Sequence, residues 1–253
     1  MGGPDRAFDI RRAGLPKVTG PERKSVGNKI FVGVPDGEYR LIRRYLEPFQ
    51  FRRHSILHEP TQKLDFVYFP DRGLISLVVA TEDGKTVEAG MVGNEGVTGM
   101  AGAVGLTKCP LRHVVQIPGD GFRAKVSAFP KLLASAPRLQ MAVSRYAVIL
   151  GMQMAQTAAC NRLHDAGERL ARWLLMAADR VNSTSLPITH DFLATMLGTD
   201  RPSVSVAAKI LQRKKIIEYR RGALEILNRA GLESSACECY MVIQQFNSVL
   251  GLK

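Results

Sequence analysis

The chain has 253 residues, of which 45% are hydrophobic, and its formal net charge is +12 at pH 7. This length is compatible with two domains that each bury a core, and no apolar run approaches the roughly 18 residues that a membrane span needs. The N-terminus lacks the apolar region of a signal peptide and the four cysteines do not make a disulfide framework, so a cytoplasmic location is predicted. The basic excess favours polyanionic partners, either nucleic acid or an anionic membrane.

The sequence predicts an α+β protein. Its N-terminal half is predicted to be an antiparallel β domain preceded by an arm. Residues 1–27 mix Gly, Pro and charge without apolar periodicity, which indicates a flexible basic arm. The β domain is placed at residues 28–136, where the short β-forming runs "DFVYFP", "LISLVVA", "TVEAGMV" and "HVVQI" are separated by turn clusters. Strands at this density predict a β-roll or jelly roll. The glycines between Gly90 and Gly105 fit neither phosphate-binding fingerprint and are interpreted as tight turns.

A long helix is predicted over residues 137–160, with a seam at alternating steps of four and three residues, as in a coiled coil. The seam comprises Leu139, Val143, Tyr146, Leu150, Gln153 and Thr157, which are the expected interface residues, and it ends at Cys160. We expect it to form the interface of a parallel homodimer, while a second stripe through Met141, Val148, Met152 and Ala155 packs on the β domain. A single buried helix of a monomer would show the same periodicity.

Residues 161–253 are predicted to form a winged helix-turn-helix domain. Asp165 followed by Glu168 has the pattern of a capping box at the start of its first helix. A second helix begins near Thr189, and a tight turn at Gly198 and Thr199 leads to a third helix over about residues 200–213. Two short strands hinged at Arg221 and Gly222 then form the wing, and an amphipathic helix capped by Asn228 ends the chain.

The helix over residues 200–213 has the composition of a recognition helix, because small side chains at its start admit the backbone close to the bases. Arg201 is expected to read guanine through a bidentate bond, and Ser203 to bind a phosphate oxygen. The predicted DNA-binding residues are Arg201, Ser203, Ser205, Val206, Lys209 and, at the wing, Arg220 and Arg221. The alternative interpretation is a solvated basic face on an ordinary three-helix domain.

The segments "LHDAGERLARWLL" and "ITHDFLATMLGTDRPSVSVAAKILQRKKII", in this order after a β domain and a long helix, resemble the CRP/FNR family of bacterial transcription regulators. The resemblance implies a cyclic-nucleotide-binding-like domain first and a winged helix last, with double-stranded DNA, a second copy of the chain and RNA polymerase as partners. It places Arg201 at the base-reading arginine position, Ser203 at a phosphate contact and Asp165 at the hinge aspartate. Pro202 replaces a base-reading glutamate of many members, so their operator does not carry over.

The sensor half departs from the family's cyclic-nucleotide cassette. The possible effector pocket is placed at Gly99, Met100, Arg112 and His113, where the ribose-binding carboxylate is missing. Cyclic AMP is therefore not expected to be a cofactor, and no ligand set for an iron-sulfur cluster or haem is evident.

The remaining chemistry predicts neither a metal site nor an enzyme. Cys237 and Cys239, if both lie on one helix, diverge by about 200 degrees, and no nucleophile is paired with a base. The alternative to a DNA-binding regulator is a small-molecule or cyclic-nucleotide receptor that acts mainly through protein contacts.

Overall fold

The computed structural model describes residues 27–220 and 223–249. The arm, apart from its last residue, and the predicted wing hinge at Arg221 and Gly222 lie outside the described residues.

The N-terminal half is a roll of two antiparallel sheets, which confirms the predicted fold class. A three-stranded sheet has the order β1-β7-β3, and a four-stranded sheet has the order β2-β6-β4-β5. The four runs predicted from the sequence lie in β3, β4, β5 and β6. The sequence does not predict β1 and β7, which carry Pro, Gly or charge, or β2, which has only three residues. The strands are β1 (Glu47–Phe51), β2 (Ile56–His58), β3 (Phe66–Pro70), β4 (Leu74–Ala80), β5 (Thr86–Val92), β6 (Arg112–Ile117) and β7 (Gly119–Lys125).

The C-terminal half is a winged helix that follows a long connecting helix. The wing sheet has the order β8-β10-β9, with β9 and β10 antiparallel. Among the described residues, the α-helices are α1 (Asp36–Arg43), α2 (Phe129–Ala134), α3 (Pro137–Leu163), α4 (Ala166–Val181), α5 (His190–Leu197), α6 (Arg201–Arg213), α7 (Arg229–Glu233) and α8 (Cys239–Val249), and the wing strands are β8 (Ser185–Leu186), β9 (Ile217–Arg220) and β10 (Ala223–Ile226).

Helix α3 buries its apolar seam against its own β-roll. All six predicted dimer-interface residues, Leu139, Val143, Tyr146, Leu150, Gln153 and Thr157, are buried within the single chain. Tyr146 packs so closely on the loop after β5 that a Cβ at Gly96 would lie 2.0 Å from its ring. The prediction that this seam meets a partner chain is therefore wrong. The periodicity of the sequence shows that one face of the helix is apolar. It does not show whether that face packs on the same chain or on a second chain.

The two halves share a hydrophobic core across the four-stranded sheet. Successive residues of β4 point to opposite faces, so Ile75 and Leu77 pack inside the roll while Leu74 and Val78 pack against the winged helix. Helix α4 covers that outer face, and Trp173 on it is fully buried. This double burial explains why "LISLVVA" reads as a continuous apolar run instead of an alternating one.

Hydrogen bonds at helix termini explain where the C-terminal helices begin. Asp165 accepts from the N–H groups of Gly167 and Glu168, and the Glu168 carboxylate accepts from the Asp165 N–H at 3.1 Å. The predicted capping box is thus confirmed. Asn228 caps α7 as predicted, but α7 ends at Glu233 and a separate helix begins at Cys239. The expected single C-terminal helix is wrong, and Cys237 lies in the connecting segment.

Candidate functional site

The segment from α5 to α6 is a helix-turn-helix whose local sequence dictates each boundary. The Thr189 hydroxyl accepts from the Phe192 N–H at 3.3 Å and starts α5. Gly198 ends that helix with φ of 58°, in the left-handed region that favours glycine. Asp200 starts α6 by accepting from the Ser203 N–H at 2.8 Å. The turn predicted at Gly198 and Thr199 is confirmed, while Asp200 was not identified as the cap.

Helix α6 buries one face and presents the other. Val204, Ala207, Ala208 and Leu211 are buried against α4 and α5, and two alanines on this face permit a close approach of the helices. The opposite face is exposed along Arg201, Pro202, Val206, Lys209, Ile210 and Arg213. At about 100° per residue, Pro202, Val206, Lys209, Ile210 and Arg213 share one stripe. The exposed Arg201 stands beside this stripe in the first turn, so α6 offers solvent a surface that begins with a guanidinium and ends in cations.

The exposed face of α6 continues into a strongly basic segment. Residues 201–220 contain six Lys and Arg and one acid, Glu218. Arg220 stands at the end of β9, where its Nε donates to the Glu218 carboxylate at 2.7 Å. The combination of a basic helix and a basic strand end produces a positive surface suited to a polyanion.

The predicted DNA-binding residues differ in whether their side chains already make hydrogen bonds or ion pairs within the chain. Arg201 is exposed, with its Nε 3.3 Å from Oδ1 of Asp191. The Ser203 hydroxyl donates to Oδ2 of Asp200 at 2.8 Å, so capping already uses this side chain. Val206 and Lys209 are exposed on the stripe of α6.

His190 is a residue that sequence reasoning missed. Its Nδ1 lies 3.0 Å from the Ser205 hydroxyl, and its ring meets that of Tyr219 edge-on with centroids 4.7 Å apart. Burial, and then the charge of Arg201, lower the pKa of His190, which favours the neutral ring. His190 therefore joins α5, α6 and the wing through contacts that no local pattern signals.

The predicted effector pocket is a small apolar cavity between β-roll and α3. Its volume is about 220 Å³, and Gly99, Met100 and His113 line it together with α3 residues such as Leu150 and Met154. Arg112 does not line it, because its side chain turns away and its Nε donates to Glu59 at 2.9 Å. The expectation that Arg112 shares the pocket is therefore wrong.

The cavity offers little to an anionic ligand. No Lys, Arg, Asp or Glu is among the described residues that line it. Burial, and then the nearby His58, lower the pKa of His113 to about 3, so its ring is neutral. Its Nδ1 lies 2.7 Å from the Thr98 hydroxyl, which uses one of the few polar groups at the wall.

A second exposed feature is an apolar stripe along α3. Met141, Val148 and Met152 are 52%, 59% and 42% exposed, and Gly151 and Ala155 are exposed beside them. Met141, Val148, Met152 and Ala155 are predicted from the sequence to pack on the β domain, which is the reverse of what the structure shows. The spacing of seven, four and three residues from Met141 to Ala155 makes the stripe continuous along one side of the helix.

Comparisons with known proteins agree with this architecture. Residues 168–235 match the Crp-like helix-turn-helix domain. No curated protein sequence matches the chain significantly. Across the described residues, no helix has the length and apolar character that a membrane crossing requires.

Several solved structures share the fold. FixK2 from Bradyrhizobium japonicum aligns with a TM-score of 0.65 at 16% identity, over 76% of this chain and 98% of its own. The c-di-GMP responsive global regulator CLP from Xanthomonas campestris aligns with a TM-score of 0.63 at 14% identity, over 76% and 99%. A CRP-family transcriptional regulator from Thermus thermophilus aligns with a TM-score of 0.63 at 19% identity, over 74% and 96%. At these identities the likeness establishes the fold.

Proposed function

We propose that the chain is a DNA-binding transcription regulator of the CRP/FNR type, which acts as a homodimer and places α6 of each copy in a major groove of double-stranded DNA. The observation that carries the proposal is the exposed stripe of α6 along Val206, Lys209 and Arg213, which carries two cations. A helix presented by a helix-turn-helix enters the groove with its N-terminal residues first.

Arg201 reads a base in this proposal, because it is exposed in the first turn of α6 and its guanidinium can bond O6 and N7 of guanine together. Ser205 follows one turn after Arg201, and Val206 on the exposed stripe is suited to a thymine methyl group. Lys209 and Arg220 bind phosphates, and Arg221, which lies outside the described residues, is assigned the same role. Ser203 contributes chiefly through the cap at Asp200.

The exposed stripe of α3 forms the dimer interface in this proposal. Three partly exposed apolar side chains at helical spacing lose water when they meet a second copy of the same stripe. Gly151 and Ala155 let the two helices approach closely. A two-fold dimer built this way presents two copies of α6 to a palindromic site. Contact with RNA polymerase is a further part of the proposal, tested by transcription in vitro with the purified polymerase.

The sensor half responds to an uncharged small molecule or to none. The cavity beside Met100 and His113 is small, apolar and without a charged wall, and a cyclic phosphate buried there would lack a partner. Burying a neutral polar group without a hydrogen-bond partner costs about 1–3 kcal/mol of binding free energy, and burying an unpaired charged group costs more.

Gel shifts against genomic fragments at two salt concentrations test DNA binding. We expect sequence-selective retention with a steep salt slope, since several phosphate contacts release counterions. Lys209→Ala should reduce affinity for all fragments, whereas Lys131→Ala, an exposed cation on α2, serves as the matched control and should leave it unchanged. Failure to retain any fragment would favour the alternative of a receptor that acts through protein contacts.

A further inference from the structure

Four side chains with metal-binding atoms meet where the end of α3 touches the segment between α7 and α8. They are Cys160, His164, Cys237 and Cys239, and their Sγ and ring nitrogen atoms all lie within 4.8 Å of one another. The three thiols are buried, and the chain brings them together from positions 77 residues apart. Neither the helix-turn-helix surface nor the cavity in the β-roll uses any of them.

Two of the distances between these atoms match the edges of a tetrahedral site. With metal–sulfur bonds of about 2.3 Å and metal–nitrogen bonds of about 2.0–2.1 Å, a tetrahedron has sulfur–sulfur edges of about 3.8 Å and sulfur–nitrogen edges of about 3.6 Å. Sγ of Cys160 and Sγ of Cys237 are 3.5 Å apart. Sγ of Cys239 and Nδ1 of His164 are 3.6 Å apart. A disulfide would require sulfurs about 2.05 Å apart.

Neighbouring polar groups hold two of the four side chains in place, as the groups around metal ligands usually do. His164 points Nδ1 at the thiols and places Nε2 3.3 Å from the Glu238 carboxylate, which fixes the ring in the manner of carboxylate–histidine–zinc groups. The Gln156 amide donates to Sγ of Cys239 at 3.0 Å, a bond that strengthens when the thiol loses its proton.

A buried cation stands near the cluster to balance its charge. Three thiolates and a divalent ion leave one net negative charge. Arg172 is buried, and its Nε is without a hydrogen-bond partner among the described residues. Arg172 lies close enough for its charge to act on the Cys160 thiol.

We propose that Cys160, His164, Cys237 and Cys239 bind one Zn²⁺ as a closed, four-coordinate structural site. Binding releases the three thiol protons and fills the coordination shell, so the site has no open position for catalysis. The ion fastens α8 to the end of α3. His164 directly precedes Asp165, the cap of α4, so the ion also stiffens the connection between the long helix and the winged helix.

Metal content of the full chain tests the proposal. Protein loaded with Zn²⁺ and dialysed against a weak chelator should retain about one equivalent per chain by mass spectrometry. Cys237→Ser and Cys239→Ser should retain none. Cys109→Ser is the matched control, because Cys109 lies in the β-roll outside the cluster, and it should retain the full amount.

Two further measurements separate ligation from misfolding. Glu238 is 74% exposed, so Glu238→Gln should fold normally while zinc affinity falls about ten- to a hundredfold through loss of the outer carboxylate. Co²⁺ in place of zinc should give the intense visible bands of a tetrahedral ion and strong thiolate charge transfer, and Cys109→Ser should not alter them. Equal metal retention in Cys237→Ser and wild type, an octahedral cobalt spectrum, or a Cys160–Cys237 disulfide in protein purified without reductant would each overturn the proposal.

Discussion

Trp173 donates its indole N–H to the Glu88 carboxylate at 2.9 Å, and this bond joins α4 of the winged helix to β5 of the roll. Ser76 of β4 donates to the same carboxylate. Glu88 is fully enclosed between the halves, and burial raises its pKa from 4.5 to about 7, against the opposing effects of Ser76, Trp173, Arg172 and Arg180. The contact between the two halves thus contains a carboxyl group that titrates near neutral pH.

We expect the contact to weaken as pH rises through 7. Because the folded pKa of Glu88 is about 7 and its usual value is 4.5, the folded chain holds the proton in a range where the unfolded chain has lost it. Stability from this group is present in full below pH 4.5 and is lost as pH rises through about 7, by about 3 kcal/mol.

Denaturant unfolding between pH 5 and 8 measures this dependence. Glu88→Gln keeps an acceptor for Trp173 and removes the ionisation, so it should flatten the curve in that range. The slope should persist in Asp83→Asn, which alters an exposed carboxylate in the turn after β4. An unchanged slope in Glu88→Gln would contradict the assignment.

A buried ion pair is a second connection between the halves. Arg180 donates from Nε to Glu95 at 2.9 Å and from a terminal nitrogen to Gln153 at 2.7 Å, and the Arg180 and Glu95 side chains are 4% and 6% exposed. Glu95→Ala leaves the guanidinium buried without its anion, and we expect it to lower the free energy of unfolding by about 3–5 kcal/mol. Glu47→Ala, which removes the exposed partner of Arg123, should cost under about 1 kcal/mol in the same urea titration.

Arg201 and Arg220 should affect DNA binding in different ways. Arg201→Ala should remove a base contact worth about 1–3 kcal/mol and relax the preference at one base pair per half-site. Arg220→Ala should weaken all sequences alike and reduce the salt slope by about one. Selection from a randomised DNA pool, with each variant compared at fixed salt, distinguishes the two effects. If Arg201→Ala leaves the selected sequence unaltered, another residue of α6 reads the bases.

Charge on the exposed stripe of α3 should separate the dimer. Val148→Glu together with Met152→Glu places unpaired carboxylates in an apolar contact, so sedimentation should show monomers at micromolar concentration. Val104 is 77% exposed on the β-roll, and Val104→Glu is the control that should remain dimeric. Glutamate at the buried Val143 and Leu150 should instead unfold the chain. A wild-type protein that sediments as a monomer would contradict the interface.

Cyclic AMP should neither bind tightly nor be needed for DNA binding. The cavity wall has a neutral His113 and no cation among its described residues, so the cyclic phosphate would be buried unpaired. Titration calorimetry with nucleotide-free protein measures this directly. A micromolar dissociation constant for cyclic AMP or cyclic GMP would show that a group outside this wall holds the phosphate.

The sequence by itself determined those helix ends and strands that depend on residues close to one another along the chain. Thr189, Gly198 and the pair Asp165 and Glu168 act on backbone groups within a few residues of themselves, so their patterns located the helix ends correctly. The runs in β3 to β6 were found for the same reason, since apolar β-forming stretches bounded by turns need no distant partner to be recognised.

Tertiary structure decided what lies against each element. The periodicity of α3 identified an apolar seam, yet only the position of the roll determines that Val143 faces inward and Val148 outward. Arg112 turns to Glu59 because the segment after β2, remote in sequence, brings that carboxylate within 2.9 Å. Cys160 and Cys237 meet across 77 residues, and the break between α7 and α8 that lets them meet depends on how α8 packs against α3. Such contacts arise from the packing of distant segments, so the spacing of residues along the chain does not predict them.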